Sequence, residues 1–130
     1  MNRLKLVLPT PEYKDEIMNY KREFIKNGDS MDGTGGLRNS KDFEEWYSIV
    51  CDNLKEETVR EGLVPATTYI AISTDDGRLI GMIDIRHHLN DYLLNYGGHI
   101  GYSVRKSERQ KGYATEMLAL ALKECKTLRD

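Results

Sequence analysis

Apolar positions along this chain change period several times, and each change marks an element. Residues 3–8 alternate, with Leu4, Leu6 and Leu8 on one side, which predicts a short strand. Thr10 and Pro11 then read as the N-cap and first residue of a helix. Its apolar stripe is Tyr13, Ile17, Tyr20 and Phe24, and Asn27 with Gly28 gives a stop signal. Periodicity then disappears into glycine-rich loop chemistry over residues 28–39. Ser40 is expected to cap a second helix. Phe43, Trp46, Tyr47, Val50, Cys51 and Leu54 follow on one helical face, a stripe built for core packing. That helix is expected to run to about Arg60, ahead of the breakers Gly62 and Pro65.

The period then falls to two. Residues 67–73 are rich in β-formers, residues 74–77 read as a turn, and residues 79–86 return, so the pair predicts a hairpin. Gly81 inside the second strand predicts a bulge or a close backbone approach. Residues 90–98 read as a loop and residues 99–104 as a further strand. Ala114, Met117, Leu118, Ala121, Leu122 and Cys125 restore the helical period, so a last helix starting near Thr115 should bury one full face. The order β-α-α-β-β-β-α, without an internal repeat, predicts an α/β (α+β) fold. Its sheet should be mixed and mostly antiparallel, with helices on both faces, and residues 1–130 should form a single domain.

Composition narrows the classes. Apolar residues are 39% and charged residues 31% of the chain, the balance of a globular protein. The net charge of −2 offers no basic field for nucleic acid or an anionic membrane. Residues 4–8 are too short and too charged for a signal-peptide core, no segment is apolar enough to span a bilayer, and a cytoplasmic location is expected. The two cysteines, Cys51 and Cys125, fall on predicted helix faces and read as buried thiols, consistent with a reducing compartment.

The candidate chemistry lies between the last strand and the last helix. Residues 101–115 read as a strand, a tight loop and the first turn of a helix. A helix N-terminus carries backbone N–H groups without intrahelical partners and the positive end of the macrodipole, so it suits a pyrophosphate. Gly112 removes a Cβ from the approach, Ala114 is nearly as small, Thr115 adds a hydroxyl, and Arg109 and Lys111 add positive charge. The cluster Gly33, Thr34, Gly35 and Gly36 lacks a preceding strand and the dinucleotide-binding spacing. It is expected to be a mobile loop over a substrate site.

Arg109, Gln110, Lys111, Gly112, Tyr113 and Ala114 fit the pattern [Gln/Arg]-x-x-Gly-x-[Gly/Ala]. That run resembles the pyrophosphate loop of the GNAT family of N-acetyltransferases, which bind acetyl-coenzyme A. Residues 68–72, 79–88 and 98–104 look like the family's successive central strands. The stretch 64–122 resembles a bacterial group within it. The resemblance implies that main-chain groups of Ser103 and Val104 pair with the pantetheine arm as a further strand would. It implies that amides from Gln110 through Thr115, with Lys111, Tyr113 and Ala114 between them, hold the pyrophosphate, with Arg109 at the first motif position. It also implies a further parallel strand, a helix and a closing hairpin beyond Asp130, together with a tyrosine that protonates the departing thiolate. The chain is accordingly read as the N-terminal and central part of the fold, C-terminally incomplete.

Two functions follow as expectations. One is acetyl-CoA-dependent acetylation of an amine by direct attack. The other is a catalytically inactive coenzyme A-binding or assembly module completed by a second chain, with a homodimer or domain-swapped partner covering the exposed sheet edge. Acyl transfer needs a base and donors for the developing oxyanion. His99, His87, His88 and Asp84 are the local titratable groups. His99, at the start of the strand, is the candidate base, and the backbone N–H of Val104 is the candidate oxyanion donor. Asp84 reads as a structural partner of Arg86 or His88. Adjacent strand residues point to opposite faces, so His87 and His88 do not make a metal pair. The acceptor amine is not legible.

Overall fold

The strands form an antiparallel meander. β1 (Leu4–Val7), β2 (Ala66–Ser73), β3 (Leu79–Arg86) and β4 (Ile100–Val104) lie side by side in chain order. The computed structural model describes residues 3–61, 65–87 and 100–129, with residues 124–129 as backbone alone. Helices α1 (Lys14–Asn27) and α2 (Phe43–Asp52) cover one face of the sheet, and α3 (Tyr113–Arg129) covers the other. This is the mixed α/β fold, with helices on both faces, that the periodicity predicts.

Alternation along the strands sorts the core into two layers. Ile70, Ile72, Leu79 and Met82 pack with Ile17, Tyr20, Phe24, Phe43, Trp46 and Val50 of α1 and α2. Ala71, Ile80, Ile83, Ile85 and Val104 pack with Met117 and Ala121 of α3. Leu79 and Met82 share a face although they are three apart, because a bulge interrupts the register. Ala71 pairs with Gly81, and Ile72 with Leu79, leaving Ile80 as the extra residue. Gly81 meets both expectations made for it. A Cβ there would lie 2.6 Å from the Ser103 carbonyl oxygen and 2.7 Å from Met117 Sδ. The absent side chain lets α3 seat on the sheet.

Helix ends differ from expectation for local reasons. Thr10 precedes a 3-10 turn (Pro11–Tyr13) without capping it through its side chain, and α1 proper starts at Lys14. Gly28 ends α1 in the left-handed region (φ 67°), and Asp29 N–H bonds back to the Phe24 carbonyl at 3.1 Å. Asp42, rather than Ser40, caps α2, accepting from Glu45 N–H at 2.8 Å, while Ser40 Oγ donates to the Gly36 carbonyl. Helix α2 stops at Asp52 instead of near Arg60. The Asn53 carbonyl accepts from Ala66 N–H at 2.8 Å and its side chain from Arg60 N–H at 3.1 Å, which turns the chain toward β2.

The expectation of a buried Cys51 is corrected: it is a free, exposed thiol. The Cys125 side chain lies outside the described residues. Leu122 is 56% exposed, and Leu120 packs against the core in its place, so the buried stripe of α3 is narrower than the sequence pattern suggests.

Candidate functional site

The turn into α3 is held from below by charge. Arg105 N–H donates to the Ile80 carbonyl at 3.1 Å, continuing the β3–β4 ladder by one residue. The next residues form a 3-10 turn (Lys106–Glu108) that buries Glu108. Glu108 accepts from Arg78 Nη1 at 2.7 Å and Lys111 Nζ at 3.1 Å. The Arg78 hydrogen bond, with Lys111 adding to it, holds that carboxyl below the usual glutamate range. Two left-handed residues, Gln110 (φ 66°) and Gly112 (φ 83°), then reverse the chain into the helix. Glu116 N–H bonds to the Gly112 carbonyl at 3.2 Å, so the amides of Tyr113, Ala114 and Thr115 precede the first intrahelical donor. A small cleft of about 110 Å³ opens there, lined by Val104, Arg109, Gln110, Gly112, Ala114 and Thr115 among others.

The start of β1 fixes the first turn of α3. Glu116 accepts from the amides of Arg3 and Leu4, each at 2.8 Å, and from Arg3 Nε at 3.0 Å. The Arg3 guanidinium also lies 4.3 Å above the Tyr113 ring. Burial pushes Glu116 up, but the bonds from Arg3 and Leu4 outweigh it and leave the carboxyl below its ordinary value.

Arg109 takes a role the sequence did not suggest. Its Nε donates to the Val104 carbonyl at 2.8 Å, its plane lies 5.5 Å over the Phe24 ring, and its Nη1 is 3.2 Å from Asp29 Oδ2. The Asp29 contact is an ion pair, and the buried Oδ2 accepts no hydrogen bond among the described residues. In this structure Arg109 braces the strand edge while also lining the helix-terminus cleft.

Along β4 the direction of the main-chain groups follows from the ladder. Arg105 is hydrogen-bonded to Ile80, and the register pairs Ser103 with Met82 and Gly101 with Asp84. Hydrogen-bonded pairs alternate in an antiparallel ladder, so Ser103 turns its N–H and C=O toward β3. Those of Tyr102 and Val104 turn outward, and among the described strands β4 pairs only with β3. The expectation that Ser103 offers its main chain at the edge is corrected on this ground; Tyr102 takes its place. The Ser103 side chain is also engaged, 2.8 Å from Tyr20 Oη.

At the other end of β4, the glycine loop crosses the sheet. Gly33 rests on Gly101: a Cβ on Gly33 would fall 2.3 Å from the Gly101 carbonyl oxygen. Trp46 Nε1 donates to the Thr34 carbonyl at 2.6 Å, and Gly35 N–H donates to Asp84 Oδ2 at 3.1 Å. The loop is therefore stapled to α2 and β3. Thr68 Oγ1, directly across the ladder, donates to Asp84 Oδ1 at 2.6 Å. Burial pushes the Asp84 carboxyl up; Thr68, Gly35 and the charge of Arg86 pull it down, and the net shift is upward. Asp84 lines a cleft of about 560 Å³ with Asp32, Gly33, Arg86, Gly101 and Tyr102. A second cleft, of about 350 Å³, shares Asp32 and Tyr102 with the first and shares Val104, Arg109 and Ala114 with the helix-terminus cleft. The three make one groove along the outer edge of β4.

A family model described as "Acetyltransferase (GNAT) domain" matches residues 3–129. The chain belongs to the GNAT family. Comparison with curated proteins and with solved structures found no match.

Within this GNAT domain, Val104, Arg109, Gln110, Gly112, Tyr113, Ala114 and Thr115 come together around one cleft. Lys111 turns aside to Glu108. His99, the candidate base, lies outside the described residues, as does His88. His87 is engaged through Nε2 with Thr67 Oγ1 at 2.6 Å. Sequence reasoning named Asp84 but assigned it to Arg86 or His88, and so missed Thr68 and Gly35 as its partners. The available signal was an acid on the same strand face as core residue Met82, facing a glycine loop.

Proposed function

We propose that this GNAT domain is an acetyl-CoA-dependent N-acetyltransferase that acetylates an amine by direct attack. The groove along the outer edge of β4 carries the reading. It joins the helix N-terminus at Gly112 to a cleft bearing a carboxylate, in the order a phosphate–pantetheine–thioester chain and an acceptor require. Amides from Gln110 to Thr115 would take the pyrophosphate. Outward main-chain groups of Tyr102 and Val104 fit an amide-bearing arm laid alongside as a strand. Acetyl-coenzyme A supplies the activated acyl group. The outward Val104 N–H would polarise the thioester carbonyl. Arg109 already takes one lone pair of the Val104 carbonyl, so the arm would share that oxygen with the guanidinium.

Coenzyme A should raise the melting temperature; at a hundred times Kd the stabilisation is about 2.7 kcal/mol. Thiol release from acetyl-coenzyme A in the presence of primary amines should follow. A melting temperature indifferent to millimolar coenzyme A would refute the reading.

A further inference from the structure

We propose that Asp84, in the cleft between the glycine loop and β4, is the base that takes the proton of the acceptor ammonium. The inference rests on the acetyl-transfer reading above and names its base.

Asp84 has the placement a base needs. It stands on β3 directly across the ladder from Gly101, whose missing side chain leaves the carboxylate open to the cleft it lines with Gly101 and Tyr102. An ionised carboxylate has about four lone-pair sites. Thr68 and Gly35 fill one on each oxygen and fix the group's orientation. The remaining sites can accept from an ammonium. Among the described lining residues the other charged groups are Arg86 on the same strand and Asp32 on the loop; Gly33, Ala66, Ile100, Gly101 and Tyr102 carry no charge. Asp32 lines both this cleft and its neighbour, so a cation entering from either meets an acid. The upward shift of Asp84 moves its proton affinity toward that of a useful base.

The step balances as follows. The ammonium N–H bond breaks, its proton goes to an Asp84 oxygen, and the pair stays on nitrogen. That pair forms the C–N bond to the acetyl carbon, and the C–S bond breaks with its electrons on sulfur. The second nitrogen proton goes to the thiolate, and Asp84 later returns its proton to solvent.

The test compares wild type with Asp84→Asn and Thr68→Val on a panel of spermidine, amino-acid amides and a tripeptide with a free N-terminus. Asparagine keeps the shape and can still accept from Gly35. Since the Asp84 charge disfavours the folded state at neutral pH, the variant should stay folded. Asp84→Asn should lower kcat by about 10²–10⁴-fold, the usual range for general acid–base catalysis. It should leave the coenzyme A-induced thermal shift unchanged. Wild-type activity should fall as pH drops through the Asp84 titration, and this acidic limb should vanish in Asp84→Asn. In Thr68→Val the limb should move to higher pH, because a bond to the charged form is lost. With coenzyme A bound, the accepted amine should further stabilise wild type and not Asp84→Asn.

An Asp84→Asn protein within threefold of wild-type kcat overturns the proposal and leaves the acetyltransferase reading standing. So does a variant that loses coenzyme A binding, which would make Asp84 a brace for the loop. A wild type that binds coenzyme A but acetylates no amine of the panel overturns the transfer reading and, with it, Asp84 as its base. A wild type blind to coenzyme A takes both readings down.

Discussion

Replacing Gly33 with alanine tests whether the glycine loop is pinned to the sheet by the close contact described above. Gly33 sits at φ 71°, and an added Cβ would lie 2.3 Å from the Gly101 carbonyl oxygen and 2.6 Å from Tyr102 Cα. Both neighbours are backbone within a sheet, so the loop must give way. The left-handed conformation alone costs an alanine about 1–2 kcal/mol. Lifting the loop also breaks Gly35 N–H to Asp84 and Trp46 Nε1 to the Thr34 carbonyl. The first bond, to a charged group, is worth about 1.5–3 kcal/mol and the second about 0.5–1.5 kcal/mol. Gly36 supplies the control: its φ is 83°, yet a Cβ there meets nothing within 4 Å. Gly36→Ala should therefore cost only the conformational term, and Gly33→Ala should cost about 2–4 kcal/mol more. Urea unfolding followed by Trp46 fluorescence reads the difference, which at an m-value of about 2 kcal/mol per molar is a midpoint gap of about 1–2 M. Equal midpoints for the two variants would refute the pinned loop.

Other outcomes follow from the same geometry. Gly112→Val should cost at least the left-handed penalty of about 1–2 kcal/mol and should abolish the coenzyme A thermal shift, read by calorimetry with and without ligand. Glu116→Ala leaves the Arg3 and Leu4 amides without their acceptor and should cost about 2 kcal/mol, measured by urea unfolding. Glu108 and Glu116 both titrate below the ordinary value of 4.5, so the stability they contribute is present above that pH and lost as pH falls through their lowered folded values. Glu108→Gln with Glu116→Gln should flatten the acid limb of the urea midpoint below pH 4.5.

The elements were legible wherever a single face had to be buried. The α1 stripe of Ile17, Tyr20 and Phe24 and the α2 stripe of Phe43, Trp46 and Val50 pack as their spacing requires. The helix-terminus cleft was legible because its chemistry is local: a strand, two left-handed turns and a helix start lie within one short run. What failed to show was set by contacts distant in sequence. The α2 end depends on Ala66 reaching back to Asn53. Which of Tyr102, Ser103 and Val104 faces the open edge depends on the β3 register, and a one-residue slip would reverse it. Arg109 was read as a phosphate ligand because Asp29 and Phe24, its partners, sit on another element. Asp84 was read through its strand neighbours, although its hydrogen bonds come from β2 and the glycine loop.

The clasp between Glu116 and the first strand bears on the order in which this protein matures on the ribosome. Arg3 and Glu116 are 113 residues apart, and β1 finds its strand partner only when residues 70–73 have been made. β1 therefore waits unpaired through the synthesis of α1 and α2. The anchor that steadies the helix-terminus cleft closes only when α3 itself has left the exit tunnel. The turn at Gly112 is thus set late, by the act that joins β1 to α3.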